Sequence, residues 1–357
     1  MPLTEPSPVE KTGVFSLMIA CNPGDRISMK TVKRHWLIFL TCLPILLLSA
    51  CKPATQAQST PEITPIPPTT TPVPSPSPGP IVITDSLGHT ITLEKPAQRV
   101  ASLAPSNTEI LFAIGAGTQV VARDSFSDYP EHAKGITNVG GGFGEIDTET
   151  LVSLQPDLVL LAEINPVEQV QTLENLGLKV FYLNNPKDLE GMYDNLRIVA
   201  RLVGHEGEAD TLIEGLQARV AEVEKRVANV SERPIVFYEL DGTDPNAPWT
   251  SGPGTFIDLL LARAGGKNLG NSLEGAWVQI SVEELIAKNP DIILLGDFTY
   301  GGVKPEDVVA RPGWDSIAAV KNQRVFPFDD NLVSRPGPRM VDGLETLAKL
   351  LHPELFE

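Results

Sequence analysis

Two segments of the chain share one pattern: a glutamate, six residues, Pro-Asp, and then four aliphatic residues. The pattern begins at Glu149 and is repeated from Glu283. Proline disfavours helical geometry in the residue before it, so each segment predicts a short helix that ends ahead of Pro-Asp. The four aliphatic residues that follow are typical of a strand buried on both faces of a parallel sheet. The repetition predicts two α/β units of similar construction.

The remainder of the chain from Ile81 onward has the same α/β character. Residues 81–93 read as a β-hairpin that turns around Gly88. Beyond the hairpin, short apolar runs alternate with helical stretches, which is typical of parallel sheets covered by helices on both faces. The predicted fold class is therefore α/β.

A long amphipathic segment separates the two similar halves. Between Glu206 and Val230 apolar residues recur every three or four positions, with no proline, which predicts one helix of about 25 residues and about 37 Å. It could be a crossover helix within one large sheet, but its length and position favour a connection between two lobes. We expect an N-terminal lobe at residues 81–186, connecting helices at 187–231 and a C-terminal lobe at 232–357.

The front of the chain carries the features of an export signal. A basic run precedes the 13 apolar residues 36–48, a length that suits the apolar region of a signal peptide better than a membrane span. The stretch ends in Leu-Ser-Ala-Cys51, which resembles the lipobox of bacterial lipoproteins, whose cysteine is acylated. Residues 1–50 are therefore interpreted as an N-terminal extension and signal peptide, with Met29 the expected start and Cys51 the lipid-attachment site. A weaker lipobox ends at Cys21.

Residues 51–80 form a linker rich in proline, threonine and serine. Ten prolines lie between Lys52 and Pro80, and such a segment has too little apolar surface to build a core. When extended at about 3.1 Å per residue, the linker could reach roughly 90 Å. The expected protein is extracytoplasmic, anchored by lipid to the outer face of the cytoplasmic membrane or in the periplasm.

Charge and cysteine content exclude several classes of function. The net charge is −17, so the protein has no electrostatic attraction for nucleic acid. The three cysteines all lie at or before Cys51, which leaves the folded part without a disulfide, a thiol nucleophile or a thiolate metal site. Residues 251–255 superficially suggest a phosphate-binding loop, but the glycine pattern is incomplete and the signal weak.

Several motifs together resemble the Fe/B12 periplasmic-binding family. They are Arg99 to Gly115, Asp124 through Tyr129-Pro130, the two Glu-containing repeats, and Arg335-Pro-Gly-Pro-Arg339. The match covers about Ile81 to Glu357. The resemblance implies two Rossmann-like lobes with central sheets joined by a long rigid helix, as in class III periplasmic binding proteins.

The same resemblance implies a function and partners. Members of this family capture vitamin B12, haem or ferric siderophores between the lobes and deliver them to an ABC permease dimer with its ATPase. An acidic residue on each lobe docks onto permease arginines, and Glu149 and Glu283 occupy those positions. A first-turn glutamate also has an adequate structural explanation, because exposed helix amides favour a carboxylate there. The protein is expected to act as a monomer and not as an enzyme.

The ligand is expected at the carboxyl ends of the strands, where the loops of an open α/β sheet converge. Aromatic walls suit a large flat macrocycle, and a few polar groups can satisfy its periphery. Each candidate could instead be a core or loop residue. The predicted ligand-binding residues are Asp124, Tyr129, Phe143, Glu163, Trp249, Trp277, Asp297, Phe298 and Arg335, with Phe126 and Tyr300 as further candidates.

Histidine content narrows the ligand class. The folded part has His89, His132, His205 and His352, whose positions make a shared zinc or manganese site improbable; only His132 lies near the predicted cleft, as a weak axial-ligand candidate. No resident cofactor is predicted, and cobalamin or another metal chelate would be the ligand. Corrinoid is favoured over haem and siderophore.

Functions of other classes remain open at this point. A tethered ligand sensor has the same sequence features as an importer subunit. An exported hydrolase is disfavoured, because the sequence has no Gly-x-Ser-x-Gly, no catalytic cysteine and no His-Glu-x-x-His.

Overall fold

The computed structural model describes residues 79–142 and 144–357. The signal-peptide, Cys51 and linker predictions therefore lie outside the described residues, apart from the last two linker positions, and so does Phe143. Within these ranges, no helix combines the length and apolar character needed to cross a membrane.

The described chain begins with the expected hairpin, β1 (Ile81–Thr84) paired antiparallel with β2 (Thr90–Leu93). Its turn is closed by Asp85, whose carboxylate accepts hydrogen bonds from the backbone amides of Leu87 (2.9 Å) and His89 (2.8 Å). Gly88 adopts a φ of 89°, a left-handed conformation that favours glycine.

The first large sheet has four parallel strands in the order β4-β3-β5-β6. Helices separate the strands, as the alternation in sequence predicted. With the hairpin, these elements are called the N-lobe: β3 (Val100–Ser102), α1 (Pro105–Ala113), β4 (Val120–Arg123), α2 (Thr148–Ser153), β5 (Leu158–Ala162), α3 (Val167–Asn175) and β6 (Val180–Leu183).

Two helices follow the N-lobe: α4 (Leu189–Val203) and α5 (Glu206–Val227). The 22 residues of α5 span about 33 Å, slightly less than the sequence predicted. Its buried face carries six apolar residues at the predicted spacing, from Ala209 to Val227. Leu212, also predicted on that face, is half-buried.

The second sheet follows the order β10-β8-β7-β11-β12, with β9 also paired to β7. Its centre is parallel, whereas β8 and β10 form an antiparallel edge. The elements of this C-lobe are β7 (Ile235–Asp241), β8 (Trp249–Ser251), α6 (Phe256–Arg263), β9 (Lys267–Asn268), β10 (Trp277–Gln279), α7 (Val282–Lys288), β11 (Ile292–Leu295), α8 (Phe298–Gly301), α9 (Pro305–Val309), α10 (Ala318–Lys321), β12 (Val325–Pro327), α11 (Asn331–Ser334) and α12 (Met340–Leu351).

The sequence repeat corresponds to a structural repeat. Helices α2 and α7 are each followed by a left-handed residue directly before the proline, Gln155 (φ 47°) and Asn289 (φ 46°). The aspartate after each proline then accepts a hydrogen bond from a backbone amide at the start of the neighbouring strand. Asp157 accepts from the Arg99 amide at 3.0 Å, and Asp291 accepts from the Ile235 amide at 2.8 Å. Each Pro-Asp thus fixes where two parallel strands begin.

One apolar core connects both sheets through the helices. Alternate residues of β5 and β11 face it, namely Leu158, Leu160, Ile292 and Leu294, while the residues between them face a separate core in each lobe. Both faces of these strands are therefore buried, which explains their unbroken aliphatic sequence. Helices α4, α5 and α12 supply much of the shared core.

Candidate functional site

Five aromatic side chains of the described residues are at least 41% exposed: Phe126, Tyr129, Trp277, Phe298 and Tyr300. We call them the cleft aromatics. Two follow the carboxyl end of β4, two follow that of β11, and Trp277 lies on the edge strand β10. All five were among the sequence candidates. A group of exposed aromatic side chains in such positions is typical of a binding site.

The β4 loop is held from beneath by Asp124, which is fully buried. Its carboxylate accepts from the Phe126 amide (3.0 Å) and from the Ser127 hydroxyl. Burial raises the pKa of Asp124, although the Ser127 hydrogen bond opposes this effect. Asp124 was predicted to contact ligand. Since its carboxylate is buried and already bonded, the structure instead gives it the role of shaping the loop that carries Phe126 and Tyr129.

Glu163 follows β5 and is exposed, at the same edge of the sheet. Tyr182, at the end of β6, is close enough that the Glu163 charge contributes, after burial, to raising the pKa of the tyrosine. Glu163 therefore remains a candidate for a polar contact with ligand.

Trp249 and Trp277 share one face of the C-lobe sheet. Trp249 pairs with Gln279 and Ser251 pairs with Trp277 across the antiparallel ladder. Directly paired residues project to the same face, so the two indoles are diagonal neighbours, about 7–8 Å apart at their Cα atoms. Trp277 is 51% exposed, while Trp249 is half-buried. The pair can offer one continuous aromatic surface.

Helix α8 carries Phe298 and Tyr300. The Tyr300 hydroxyl donates to the Leu240 carbonyl at the end of β7, which fixes the helix to the sheet. Burial, assisted by the Asp330 charge, raises the pKa of Tyr300. The ring of Tyr300 is nevertheless 55% exposed, so its hydroxyl is occupied while its surface stays accessible.

Asp297, predicted to bind ligand, lies in a buried charge cluster under the same loop. It is 3% exposed and accepts from the Gly242 amide at 3.0 Å, while its other oxygen has no hydrogen-bond partner among the described residues. Burial and the neighbouring Glu239 charge raise the pKa of Asp297 to about 7. Glu239 is itself held by Arg311 through two hydrogen bonds of 2.5 and 2.8 Å. Asp297, Glu239 and Arg311 therefore lie beneath the loop that follows β11 and do not form its exposed surface.

Arg335, also predicted to bind ligand, is occupied by two carboxylates of the N-lobe. Its Nη1 lies 3.3 Å from Glu109 Oε1 and 2.6 Å from Asp128 Oδ1. Arg339 binds Glu109 through two further hydrogen bonds of 2.8 and 2.5 Å. These pairs bring the loop after β12 against the loop after β4, so the carboxyl edges of the two sheets face a common cleft.

Glu149 and Glu283 are exposed residues in the first turns of α2 and α7. The start of each helix is bonded to loops at the carboxyl edge of its sheet. The Asp147 amide donates to the Val139 carbonyl (2.8 Å), and the Val282 amide donates to the Asn246 carbonyl (2.9 Å). Both carboxylates therefore lie on the side of the molecule where the strands of their sheets end.

The charged residues of this region that sequence reasoning missed include Glu109, Arg339, Glu239 and Arg311. Glu109 stands within the opening motif and Arg339 within the C-terminal one, so the motifs themselves were the available signal. Glu239 and Arg311 are 72 positions apart, and nothing local in the sequence indicates their pairing.

The described residues include no group of three His, Cys, Asp or Glu side chains that could hold a metal ion. His352 is buried and contacts the Gly265 carbonyl at 3.2 Å, and His132 is exposed beside the β4 loop. A cavity of about 320 Å³ lies between the Glu109–Arg339 pair and α5. Tyr129 lines this cavity, whereas the other four cleft aromatics do not.

Comparison with known proteins gives consistent matches. A model of the periplasmic binding protein family matches residues 100–332. An uncharacterized ABC transporter substrate-binding lipoprotein of Bacillus subtilis is 32% identical over 283 residues, which are 78% of this chain and 87% of that protein. A cobalamin-binding protein of Halobacterium salinarum is 28% identical over 284 residues, 76% of this chain and 74% of that protein.

The fold is also similar to that of solved structures. A periplasmic heme-binding protein from Roseiflexus sp. RS-1, in its apo form, is 27% identical with a TM-score of 0.65, and the match covers 72% of this chain and 99% of that one. This similarity confirms the predicted class of two α/β lobes joined by a long helix.

The raised pKa of Asp297 predicts a pH-dependent stability. Because the folded-state pKa is about 7 against an ordinary value of 3.8, the folded protein holds a proton that the unfolded chain releases. Stability should therefore fall by roughly 1–3 kcal/mol as pH rises from about 4 to about 7, and should not fall further above that. Asp297→Asn should remove this decline, as measured by urea unfolding between pH 5 and 8. The exposed Asp315→Asn is the control, and an equal decline in the Asp297 variant would contradict the assignment.

Proposed function

The chain belongs to the periplasmic binding protein family, and on that premise we propose that it is the extracytoplasmic substrate-binding component of an ABC importer. The observation that carries the proposal is the presence of four cleft aromatics at the carboxyl edges of two facing sheets, with Trp277 on the edge strand of one of them. Binding there requires no catalytic group, and the buried carboxylates beneath the loops are engaged in shaping them. The ligand would be captured between the lobes and passed to a permease dimer with its ATPase.

We favour a corrinoid as the ligand. Aromatic side chains on both lobes suit a large, flat macrocycle, and one of the similar proteins is named as a cobalamin-binding protein. Haem is the second candidate, because the heme-binding structure from Roseiflexus shares the fold at 27% identity. A ferric siderophore would need similar aromatic walls. The lack of a three-ligand cluster among the described residues argues against capture of a bare metal ion.

The predicted anchor fits this role. Acylation at Cys51 and a linker through residue 80 would keep the lobes near the outer face of the membrane while leaving them free to reach the permease. The Bacillus relative is named as a lipoprotein, which supports the anchor. The lobes would act as a monomer, since a single chain supplies both walls of the cleft.

Ligand titration tests the proposal directly. We would titrate the purified protein with cyanocobalamin, cobinamide, haem and ferric siderophores, and follow tryptophan fluorescence and melting temperature. A ligand at a hundred times its dissociation constant should stabilise the fold by about 2.7 kcal/mol. A response to corrinoids alone would support the favoured ligand, and a response to haem alone would replace it. No response to any of them would contradict the binding role proposed here.

Trp277→Ala should weaken ligand binding by about tenfold, equivalent to about 1.4 kcal/mol. The side chain is 51% exposed, so its removal should leave the melting temperature of the ligand-free protein nearly unchanged. Leu176→Ala, which truncates a 46% exposed residue at the end of α3, is the matched control. Unaltered affinity in the Trp277 variant would place the ligand away from the C-lobe aromatic surface.

Replacing both predicted docking residues, Glu149→Ala with Glu283→Ala, should abolish uptake without changing ligand affinity. The two exposed carboxylates would form charge-assisted pairs with permease arginines. The control is the double variant Glu168→Ala with Glu306→Ala, which removes exposed first-turn glutamates from α3 and α9, one in each lobe. Uptake assays in cells and binding assays on purified protein separate the two effects. Normal uptake by the first double variant would rule out this docking surface.

A further inference from the structure

We propose that Glu109, Arg335 and Arg339 form an interlobe latch that positions Tyr129 for the ligand and sets how fast the ligand leaves. The inference rests on the proposed ligand-binding function. The three side chains act as positioning residues, because their polar groups bind one another across the cleft and not the ligand.

The latch centres on one buried carboxylate. The Glu109 side chain is 1% exposed, and those of Arg335 and Arg339 are 13% and 12% exposed. Glu109 belongs to α1 of the N-lobe, whereas both arginines lie just before α12 of the C-lobe. Among the described residues, every ion pair that joins the N-lobe directly to the C-lobe involves Arg335 or Arg339.

The charges of this network balance, and its geometry is specific. Asp128 adds a second carboxylate, so two acidic groups face two guanidinium groups. Arg339 meets Glu109 through both Nε and Nη2. A two-point contact of this kind is satisfied at only one relative orientation of the partners. Since buried ion pairs often give little net stability, we expect the latch to fix the spacing of the lobes more than to stabilise the fold.

The same arginines hold the ligand-facing loop. The Arg339 guanidinium carbon lies 3.9 Å from the centroid of the Tyr129 ring, and Arg335 binds Asp128, the residue just before it. Tyr129 is still 45% exposed, so one part of the ring rests on the C-lobe arginine while another part stays accessible. A ligand that packs on Tyr129 therefore packs on a residue whose position depends on both lobes.

The base of this loop is attached within the N-lobe. Asp124 binds Ser127, whose hydroxyl lies 2.7 Å from that of Thr108. Those contacts hold the base of the loop, whereas Asp128 and Tyr129 depend on the latch. Loss of the latch should free the tip of the loop and leave its base in place.

Glu109→Gln tests this inference, because it keeps the size of the side chain and removes the charge that both arginines share. In the ligand-free, full-length protein we expect amide hydrogen exchange to rise about tenfold at Asp128 and Tyr129 and at Gly337 and Met340. For bound cyanocobalamin, or haem if that is the ligand, we expect about tenfold faster dissociation with association changed by no more than about twofold. Arg339→Lys should act in the same direction, because lysine loses the flat two-point contact.

The matched control is Arg219→Gln. Arg219 is also held by two carboxylates, Asp342 (2.5 Å) and Glu345 (2.8 Å), but it joins α5 to α12 and does not cross between the lobes. Arg219→Gln should change neither amide hydrogen exchange in the loop after β4 nor the rate of ligand dissociation.

Two results would overturn the latch. One is unchanged exchange at the loop in Glu109→Gln, and the other is increased exchange that extends equally to β5 and β11, which would indicate a purely stabilising role. Because exchange is measured without ligand, the latch can be judged even if neither cyanocobalamin nor haem binds. Absence of binding by the unmodified protein would contradict the proposed function alone.

Discussion

The shared apolar core is the constraint on which the rest of the molecule depends. One face of each sheet packs into it through β5 and β11, and α5 contributes its whole apolar stripe. A wide separation of the lobes would expose this surface to water, at about 25 cal/mol for each Å². The lobes are therefore held at a nearly fixed distance by apolar contacts on one side. The opposite side, where the strands end, is left for polar contacts and for ligand.

The polar groups of that side share one construction. In each lobe a buried aspartate stands just after a strand, Asp124 after β4 and Asp297 after β11. Asp124 accepts from the backbone amide of Phe126 in its own loop, and Asp297 accepts from that of Gly242 after β7. Buried carboxylates are tolerated only when they are hydrogen-bonded or protonated, so each aspartate imposes one conformation on its loop. Exposed aromatic rings can then be held in place by loops that would otherwise be mobile. Stiff loops reduce the conformational entropy lost when a ligand binds.

Local patterns in the sequence were sufficient for the architecture. The repeat around Glu149 and Glu283 and the periodicity between Glu206 and Val227 record contacts within a few residues, and both correspond to real elements. The exposed aromatics were also found, because residue type and position after a strand are visible in sequence. Whether a single position is buried cannot be read from the sequence in this way. Asp124 and Arg335 have the residue types of ligand contacts, but the first is fully buried and the second is bound by Glu109.

The charged pairs across the cleft show what sequence cannot supply. Glu109 and Arg339 are separated by 230 positions, so neither spacing nor periodicity could pair them, although each lies in a motif that resembles the family. From sequence, both motifs were interpreted as marks of the family, and Arg335 alone as a ligand contact. The structure gives a more physical reason for two distant motifs to occur together: their charged residues neutralise each other across the cleft. In a two-lobed protein, such motifs can encode the fit between lobes as readily as contact with the ligand.

The fixed spacing of the lobes explains how the exposed aromatic side chains could bind one ligand together. An aromatic ring left in water forgoes the favourable free energy of burial, and scattered rings of this kind need no explanation. Five exposed rings, four of them at two facing edges and Trp277 on the strand β10, are different, because together they form an accessible aromatic surface. Since the shared core already fixes the distance between those edges, a ligand of the right thickness could bury rings from both lobes with little rearrangement. The docking candidates Glu149 and Glu283 lie on the same side, so a permease that contacts both would also face the opening of the cleft. Capture and delivery would then use one face of the molecule, while the opposite face holds the lobes together.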